Sequence, residues 1–255
     1  MLGKNRIQRI QKLHQKKYRL QEKRFIAEGT KVVLDLIKHN FPTEYIVATP
    51  AWFKEFLPQR PEVDCLDAEK FELEKISCLQ TTPDVLAVCM LSQNEIQILK
   101  DGQLTLLVDS VRDPGNMGTI IRLADWFGVQ QILATEDTVE WSNPKCIQAS
   151  MGSFMRLQPC YVNLDELENL CKSTASYAAD LQGENVYSID FKPEGILVVS
   201  SESHGLHPVF ERSVKHILSI PSAHSAGKGP ESLNVATATG IFLSEFQRRR
   251  NQLRG

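Results

Sequence analysis

The sequence has no apolar run near the ~20 residues that a membrane-spanning helix needs, and its N-terminus lacks the apolar core of a signal peptide. Its six cysteines stand singly, without a C-x-x-C pair, so neither a zinc site nor a disulfide framework is indicated. Repeats and low-complexity segments are also absent. These absences exclude membrane-spanning and fibrous classes and favour a cytoplasmic protein with reduced core thiols.

What is present is an ordinary globular composition of 255 residues, 42% hydrophobic and 24% charged. That length is large for one compact domain, so we expect two. The polar stretch 94–103 ends in Asp-Gly and is the best candidate boundary. We therefore predict domains at 1–93 and 104–255, joined by a linker over 94–103.

The net charge of -2 is unevenly distributed along the chain. Residues 1–24 hold nine Lys or Arg and one acid, 241–255 hold four Arg and one acid, and the residues between them are acidic overall. Ile7, Ile10, Leu13 and Leu20 recur within 1–24 at helical spacing, which predicts a basic amphipathic helix. Such a helix binds a polyanion such as RNA, or simply packs its apolar face on the body. The candidate RNA-binding residues are Lys4, Arg6, Arg9, Lys12, Lys16, Lys17 and Arg19.

Alternating helical and strand patterns along the chain predict an α/β protein with a mostly parallel sheet. The predicted strands are Tyr45–Ala48, Val85–Met90, Leu104–Asp109, Gln131–Ala134, Ile196–Ser200 and Ile217–Ile220. The predicted helices are Lys31–His39, Trp52–Phe56, Thr119–Phe127, Pro144–Met151 and a long one that starts near Ser232. Ligands of such sheets usually lie beyond the carboxyl ends of the strands.

The loop after Leu104–Asp109 carries Gly115, Asn116 and Gly118, and Arg122 follows in the predicted helix. Glycines let the backbone approach a ligand, and a helix start offers amide donors to an anion. The spacing is neither a G-x-G-x-x-G fingerprint nor a P-loop, which argues against an NAD-dependent enzyme. Turn glycines, an asparagine cap and a surface ion pair are the alternative interpretation.

Two later loops also hold candidate functional residues. Glu202 follows the strand Ile196–Ser200 directly and is either a functional acid or a structural acceptor of backbone amides. Ser232 and Asn234 stand at the predicted start of the last helix, where Ser232 could equally be its cap. The histidines lack metal-ligand spacing, so no metal is predicted.

Taken in order, N-M-G-x-x-x-R-L-A, S-E-S-H-G-L, and I-P followed by E-S-L-N-V-A-T-A resemble the three motifs of the SpoU/TrmH family of RNA ribose 2'-O-methyltransferases. The resemblance covers roughly 104–250. It implies a C-terminal α/β-knot (trefoil knot) domain, S-adenosylmethionine as cofactor, and a homodimer. The first 90 residues resemble the family's smaller L30e-like α/β RNA-binding domain, which favours ribosomal RNA as the substrate.

The resemblance assigns catalytic roles to five residues and cofactor contacts to four more. The implied catalytic residues are Asn116, Arg122, Glu202, Ser232 and Asn234. The implied cofactor-binding residues are Ser200, Gly205, Ile220 and Leu233. Two departures from the family pattern stand out: Ser200 replaces a usual glycine, and His224–Pro230 lengthens the third loop. A non-catalytic RNA-binding or ribosome-assembly protein, and transfer RNA as the substrate, stay open as alternatives.

Overall fold

The computed structural model describes residues 2–59, 62–92, 95–97, 100–201, 205–224 and 229–254. The chain divides into two compact units, Met1–Gln93 with Glu140–Met155, and Asn94–Val139 with Arg156–Gly255. The sequence predicts 140–155 as part of the second domain, whereas this segment belongs to the first unit.

The helices and strands of the described residues alternate along most of the chain. The helices are α1 (Lys4–Lys12), α2 (Lys16–Glu22), α3 (Thr30–Lys38), α4 (Pro50–Phe56), α5 (Lys70–Ile76), α6 (Pro114–Trp126), α7 (Pro144–Ser150), α8 (Leu164–Ser173), α9 (Pro208–Ser213) and α10 (Val235–Arg254). The strands are β1 (Arg24–Glu28), β2 (Thr43–Ala48), β3 (Asp64–Asp67), β4 (Val85–Met90), β5 (Leu104–Asp109), β6 (Gln131–Thr135), β7 (Cys160–Val162), β8 (Ser176–Asn185), β9 (Gly195–Ser200) and β10 (His216–Ser219).

The first unit is built on a four-stranded sheet in the order β1-β4-β2-β3. The strand β4 runs antiparallel to both neighbours, and β2 and β3 are parallel. Five of the six residues of β4 are buried, because this strand lies inside the sheet. The unit is therefore a small α/β domain, as predicted.

The basic N-terminal segment forms two helices, α1 and α2, where one was predicted. Ile10 and Leu13 are almost completely buried in the core of the first unit, together with Leu73 and Ile76 of α5. The Gln11 side chain donates to the carbonyl of Lys75 at 2.8 Å. Ile10 and Leu13 are thus part of the core, whereas Leu20 is exposed, and the exposed positions between the apolar residues carry the positive charge.

Arg19 is buried at 1% exposure and is not available to RNA, which corrects its assignment as an RNA-binding residue. Its guanidinium donates to the carbonyls of Leu13 and His14 and to the Glu140 carboxylate. Lys16 lies 3.6 Å from the same carboxylate. Since a buried cation needs a paired anion, Glu140 ties the 140–155 segment to the first unit.

Aromatic rings provide the second attachment of this segment. Phe25 packs edge-on against Trp141 and Phe154, with ring centroids 5.1 and 5.7 Å apart. Phe41 contacts Phe154 in the same manner. Such edge-to-face pairs add about 0.5–1.5 kcal/mol each beyond the area they bury. The inserted segment is therefore held by both charge and packing.

The second unit contains a six-stranded sheet in the order β10-β8-β9-β5-β6-β7. Every pair of neighbouring strands in it is parallel. All residues of β5 are buried, since β9 and β6 flank it. The predicted α/β class with a mostly parallel sheet is confirmed, and the carboxyl ends of β5 and β9 lie at one edge.

We predict that Glu140→Ala lowers the free energy of unfolding by about 3–5 kcal/mol, because it leaves the Arg19 guanidinium buried without its anion. Glu22→Ala is the matched control, since Glu22 pairs with the exposed Arg9, and it should cost no more than about 1 kcal/mol. Urea unfolding of the three proteins gives both values. Equal losses in the two variants would contradict a special role for the buried pair.

Candidate active site

The helix α6 begins at Pro114, five residues before the predicted start at Thr119. Asp113 caps it, because its carboxylate accepts from the Asn116 backbone N–H at 2.8 Å, and proline at the first position favours helix initiation. Gly115 and Gly118 therefore lie inside the helix and not in a loop. The cap is Asp113, which also corrects the alternative interpretation of Asn116 as the capping residue.

The helix α10 begins at Val235, and the residue before it, Asn234, is its cap. The Asn234 side-chain oxygen accepts from the backbone N–H groups of Ala236 and Thr237 at 3.1 and 3.3 Å. Ser232 lies two residues further out and is exposed, so the alternative of a Ser232 cap is wrong. The oxygen of the Asn234 amide is thus committed to the helix.

Asn234 and Asn116 are joined by a hydrogen bond across 118 residues of sequence. The Asn234 amide nitrogen donates to the Asn116 side-chain oxygen at 2.9 Å. Because the Asn234 oxygen caps α10, only its nitrogen can face Asn116, and this fixes the orientation of both amides. The Asn116 NH2 group has no partner among the described residues. It is left as a donor toward a ligand.

Arg122 is exposed on α6 and makes no ion pair or hydrogen bond within the described part of the chain. It lies six positions after Asn116, which corresponds to about 120° around the helix axis and about 9 Å along it. Within the described residues Arg122 is therefore an unpaired cation, about 9 Å along α6 from Asn116.

A cavity of about 440 Å³ lies in the second unit. All four predicted cofactor-binding residues, Ser200, Gly205, Ile220 and Leu233, line it, as does Ser232. Its volume falls within the roughly 300–1,000 Å³ range of small-molecule sites. The structure thus brings together residues from the ends of β9 and β10 and from the start of α10.

Residues of β8 also line the cavity, and the sequence pattern did not predict this strand. Ala178 and Glu184 pair with consecutive residues of β10, so 179–183 leave the ladder between them. Ala179, Asp180 and Leu181 of this stretch line the cavity. A Cβ atom on Gly183 would lie 2.6 Å from the carbonyl carbon of Ile217, so only glycine fits this approach.

Ser200, which stands where the family pattern usually has glycine, is accommodated without backbone strain. It ends β9 in register with Asp109, and its φ does not lie in the left-handed region. A side chain is therefore compatible with the backbone at this position. Glu202, and residues 225–228 of the lengthened third loop, lie outside the described residues.

Of the remaining predicted RNA-binding residues, Lys4, Arg6, Lys12, Lys16 and Lys17 are exposed on α1 and α2. Arg9 is held between the carboxylates of Glu22 and Glu44, at 2.8 and 3.4 Å. The ammonium groups of Lys12 and Lys17 lie 5.6 and 5.9 Å from the centre of the Tyr18 ring. This surface offers several cations that carboxylates do not neutralise.

The arginines near the C-terminus are used inside the second unit. Arg248 and Arg249 both bond to the Glu245 carboxylate, at 2.6–2.7 Å. The hydrogen bond from Arg248 is the main reason that the pKa of Glu245 lies below its ordinary value. Arg250 donates to the carbonyl of Pro193 at 3.3 Å. These cations therefore stabilise α10 and contribute little free charge.

Neither a metal centre nor a membrane segment is found among the described residues. No group of three or more His, Cys, Asp or Glu side chains there could hold a metal ion. No helix there is both long and apolar enough to cross a bilayer.

The chain matches the family model of the SpoU rRNA Methylase family over residues 103–244, more than half of its length. Residues 4–87 match the MRM3-like substrate binding domain. The chain therefore belongs to the SpoU rRNA methylase family. The resemblance seen in the three motifs is confirmed.

Individual relatives cover nearly the whole chain. A solved structure described as a putative RNA methyltransferase of the TrmH family from Porphyromonas gingivalis is 34% identical, with TM-score 0.86, and the match covers 98% of this chain and 99% of that one. An AdoMet-bound rRNA methyltransferase from Sinorhizobium meliloti is 27% identical, with TM-score 0.84, and covers 98% and 96%. The 23S rRNA guanosine 2'-O-methyltransferase RlmP of Bacillus subtilis is 28% identical over 91% and 92% of the two chains.

We predict that Asn234→Ala lowers stability by about 1 kcal/mol, whereas Asn234→Asp stays close to wild type. The carboxylate of the second variant still caps α10 and complements the positive end of the helix dipole. Both variants lose the N–H donor to Asn116. Thermal unfolding followed by circular dichroism distinguishes them, and equal melting temperatures for the two variants would show that the Asn234 oxygen is not the cap.

Proposed function

We propose that this protein is an RNA 2'-O-methyltransferase that transfers a methyl group from S-adenosylmethionine to a ribose hydroxyl of ribosomal RNA. The observation that carries the proposal is the cavity where the second and third family motifs meet, in a chain of the SpoU rRNA methylase family. The relatives named as 23S rRNA methyltransferases support ribosomal RNA as the substrate.

The cavity suits S-adenosylmethionine in size and chemistry. Val199, Ile220 and Phe242 give the cavity apolar lining that suits an adenosyl group, and Asp180 and Glu231 add carboxylates that would suit a cationic ligand. Serine hydroxyls and loop backbone supply polar contacts. When bound, S-adenosylmethionine provides an electrophilic methyl group on a positively charged sulfur.

The protein's own residues then have to orient the ribose hydroxyl and stabilise the negative charge that develops on its oxygen. Arg122 is the residue we assign to this role, since its guanidinium is a rigid fork of donors and is not engaged within the described residues. Positioning of this kind supplies several kcal/mol of the barrier.

The asparagine pair provides a second, fixed donor. With its oxygen held by Asn234, the Asn116 NH2 group can donate to a ribose or phosphate oxygen without prior reorganisation. Ser232 and Leu233, next to Asn234, connect this donor to the cavity. Glu202, the acid of the second motif, is the residue that we propose to steer Arg122 or the nucleotide.

The remaining features implied by the family are part of the same proposal. We infer that the second unit forms a trefoil knot, that the protein acts in the cytoplasm, and that it is a homodimer.

We predict that Arg122→Ala abolishes methyl transfer while the Kd for S-adenosylmethionine and the melting temperature stay within error of wild type. Arg212→Ala, another exposed arginine, paired with Glu168, is the control and should retain full activity. Methylation of ribosomal RNA and isothermal titration provide the readouts. Residual turnover within about tenfold of wild type, about 1.4 kcal/mol of barrier, would remove Arg122 from the mechanism.

We also predict that combined Ala substitution of Lys4, Lys12 and Lys17 weakens RNA binding and reduces its salt slope by up to about 2, since each lost phosphate contact is worth about 0.7. These side chains are exposed, so the core positions Ile10 and Leu13 and the buried Arg19 stay intact. The same triple change at Lys172, Lys192 and Lys215 is the control. An unchanged slope in the α1–α2 variant would contradict an RNA-binding role for this surface.

The RNA-binding alternative without methyl transfer is tested by the same titration. Binding of S-adenosylmethionine by the wild-type protein at micromolar to submillimolar concentration, with transfer to RNA, supports the enzyme. No binding at millimolar concentration would leave an RNA-binding protein on this fold.

A further inference from the structure

Asp109 is the last residue of β5, and its side chain is 1% exposed. No ion pair reaches this carboxylate within the described residues. Burial raises its pKa above the ordinary value, although hydrogen bonds from Ser110 and His207 oppose that shift. Burying a carboxylate costs stability unless its oxygens accept hydrogen bonds. The hydrogen-bond donors to the Asp109 carboxylate therefore indicate its role.

The hydrogen bonds of Asp109 reach both flanks of the second motif. Its backbone carbonyl accepts from the Ser201 N–H at 3.2 Å. Its carboxylate accepts from the His207 N–H at 3.1 Å, and the other carboxylate oxygen accepts from the Ser110 hydroxyl at 2.9 Å. One residue of β5 therefore holds the two ends of the 201–207 segment.

The held residues connect directly to the cavity wall. Ser200, Ser201 and Gly205 line the cavity, and the Gly205 N–H donates to the Ser201 carbonyl at 3.0 Å. His207 in turn caps α9, because its Nδ1 accepts from the Val209 N–H at 3.2 Å. Movement of either flank would displace the cavity wall and the start of α9 together.

The backbone of Ser110, next to Asp109, is also held in place by a hydrogen bond. Ser110 adopts a left-handed φ of 54°, and its N–H donates to the Thr135 hydroxyl at 2.9 Å. This unusual backbone turns the chain away from β5 directly after Asp109. The Ser110 hydroxyl thereby stays next to the carboxylate, which leaves the second oxygen for His207.

We propose that Asp109 is a positioning residue for the S-adenosylmethionine site, whose carboxylate holds the His207 amide and thereby the Gly205 side of the cavity wall. The contact to the Ser201 amide is made by the backbone carbonyl, which every residue supplies at this position. The proposal rests on the proposed function for the identity of the ligand. The positioning itself concerns the protein alone.

The test compares wild type, Asp109→Ala and Asp109→Asn. Glu136→Ala is the control, since Glu136 is an exposed carboxylate that directly follows β6 at the same sheet edge. The readouts are the Kd for S-adenosylmethionine and hydrogen exchange of the 201–207 peptide, both measured below the melting temperature of each variant. The Asn variant keeps an acceptor for His207, so it serves as the conservative rescue.

We expect Asp109→Ala to raise the Kd at least tenfold and to accelerate exchange in 201–207, with Asp109→Asn within about threefold of wild type and the control unchanged. A lower melting temperature for Asp109→Ala with unchanged Kd and exchange would reduce Asp109 to a stability role and overturn the proposal. Equal behaviour of the Asn and Ala variants would also overturn it.

Two further outcomes distinguish a failure of the proposed function from a failure of the positioning role of Asp109. If wild type does not bind S-adenosylmethionine, the proposed function fails, while faster exchange of 201–207 in Asp109→Ala still supports the positioning role. If Asp109→Ala does not fold, the His207 amide of wild type decides: protection supports the hydrogen bond, and exchange at the rate of an exposed amide overturns it.

Discussion

The parallel pairing of β5 with β9 is the constraint on which the site depends. It puts Asp109 and Ser200 in register at one sheet edge, so the segments that follow the two strands start side by side. In parallel sheets this edge is where loops can gather polar groups around a ligand. Both strands are buried along nearly their whole length, as is typical of parallel strands that are covered on both faces. The cavity wall and the contacts of Asp109 follow from that register.

The asparagine pair shows how a structural role can determine a chemical one. Asn234 caps α10 with its oxygen, and this commitment decides which atom it offers to Asn116. The direction of the hydrogen bond then decides which atoms of Asn116 remain for a ligand. An amide that is free to rotate would lose conformational entropy when it orients toward a substrate, whereas the Asn116 amide is already oriented in the folded chain. The same side chain, Asn234, thus caps α10 and determines which atoms of Asn116 can donate to a ligand.

The charges of the chain divide into structural and available groups in a way that follows burial. Arg19, Arg248 and Arg249 are bound to carboxylates within their own units. The lysines of α1 and α2 keep their ammonium groups at the surface. Lysine stems can lie along apolar surface with the charge in water, while a guanidinium accepts burial when several acceptors surround it. The basic N-terminal segment therefore stabilises the first unit and presents positive charge at the same time.

The sequence by itself determined the elements whose signal is local. Val85–Met90 and Leu104–Asp109 were predicted to the residue, because turn or polar residues bound these apolar runs. It also identified the family and the residues around the cavity, since three motifs follow strands in a known order. It could not give the early start of α6, where the glycines of the motif suggested a loop and the Asp113 cap outweighed them. The irregular strand β8 was missed because half of it is exposed and leaves the ladder. The burial of Arg19, the inclusion of 140–155 in the first unit and the hydrogen bonds of Asp109 were decided by tertiary structure, since they depend on partners up to about 120 residues away.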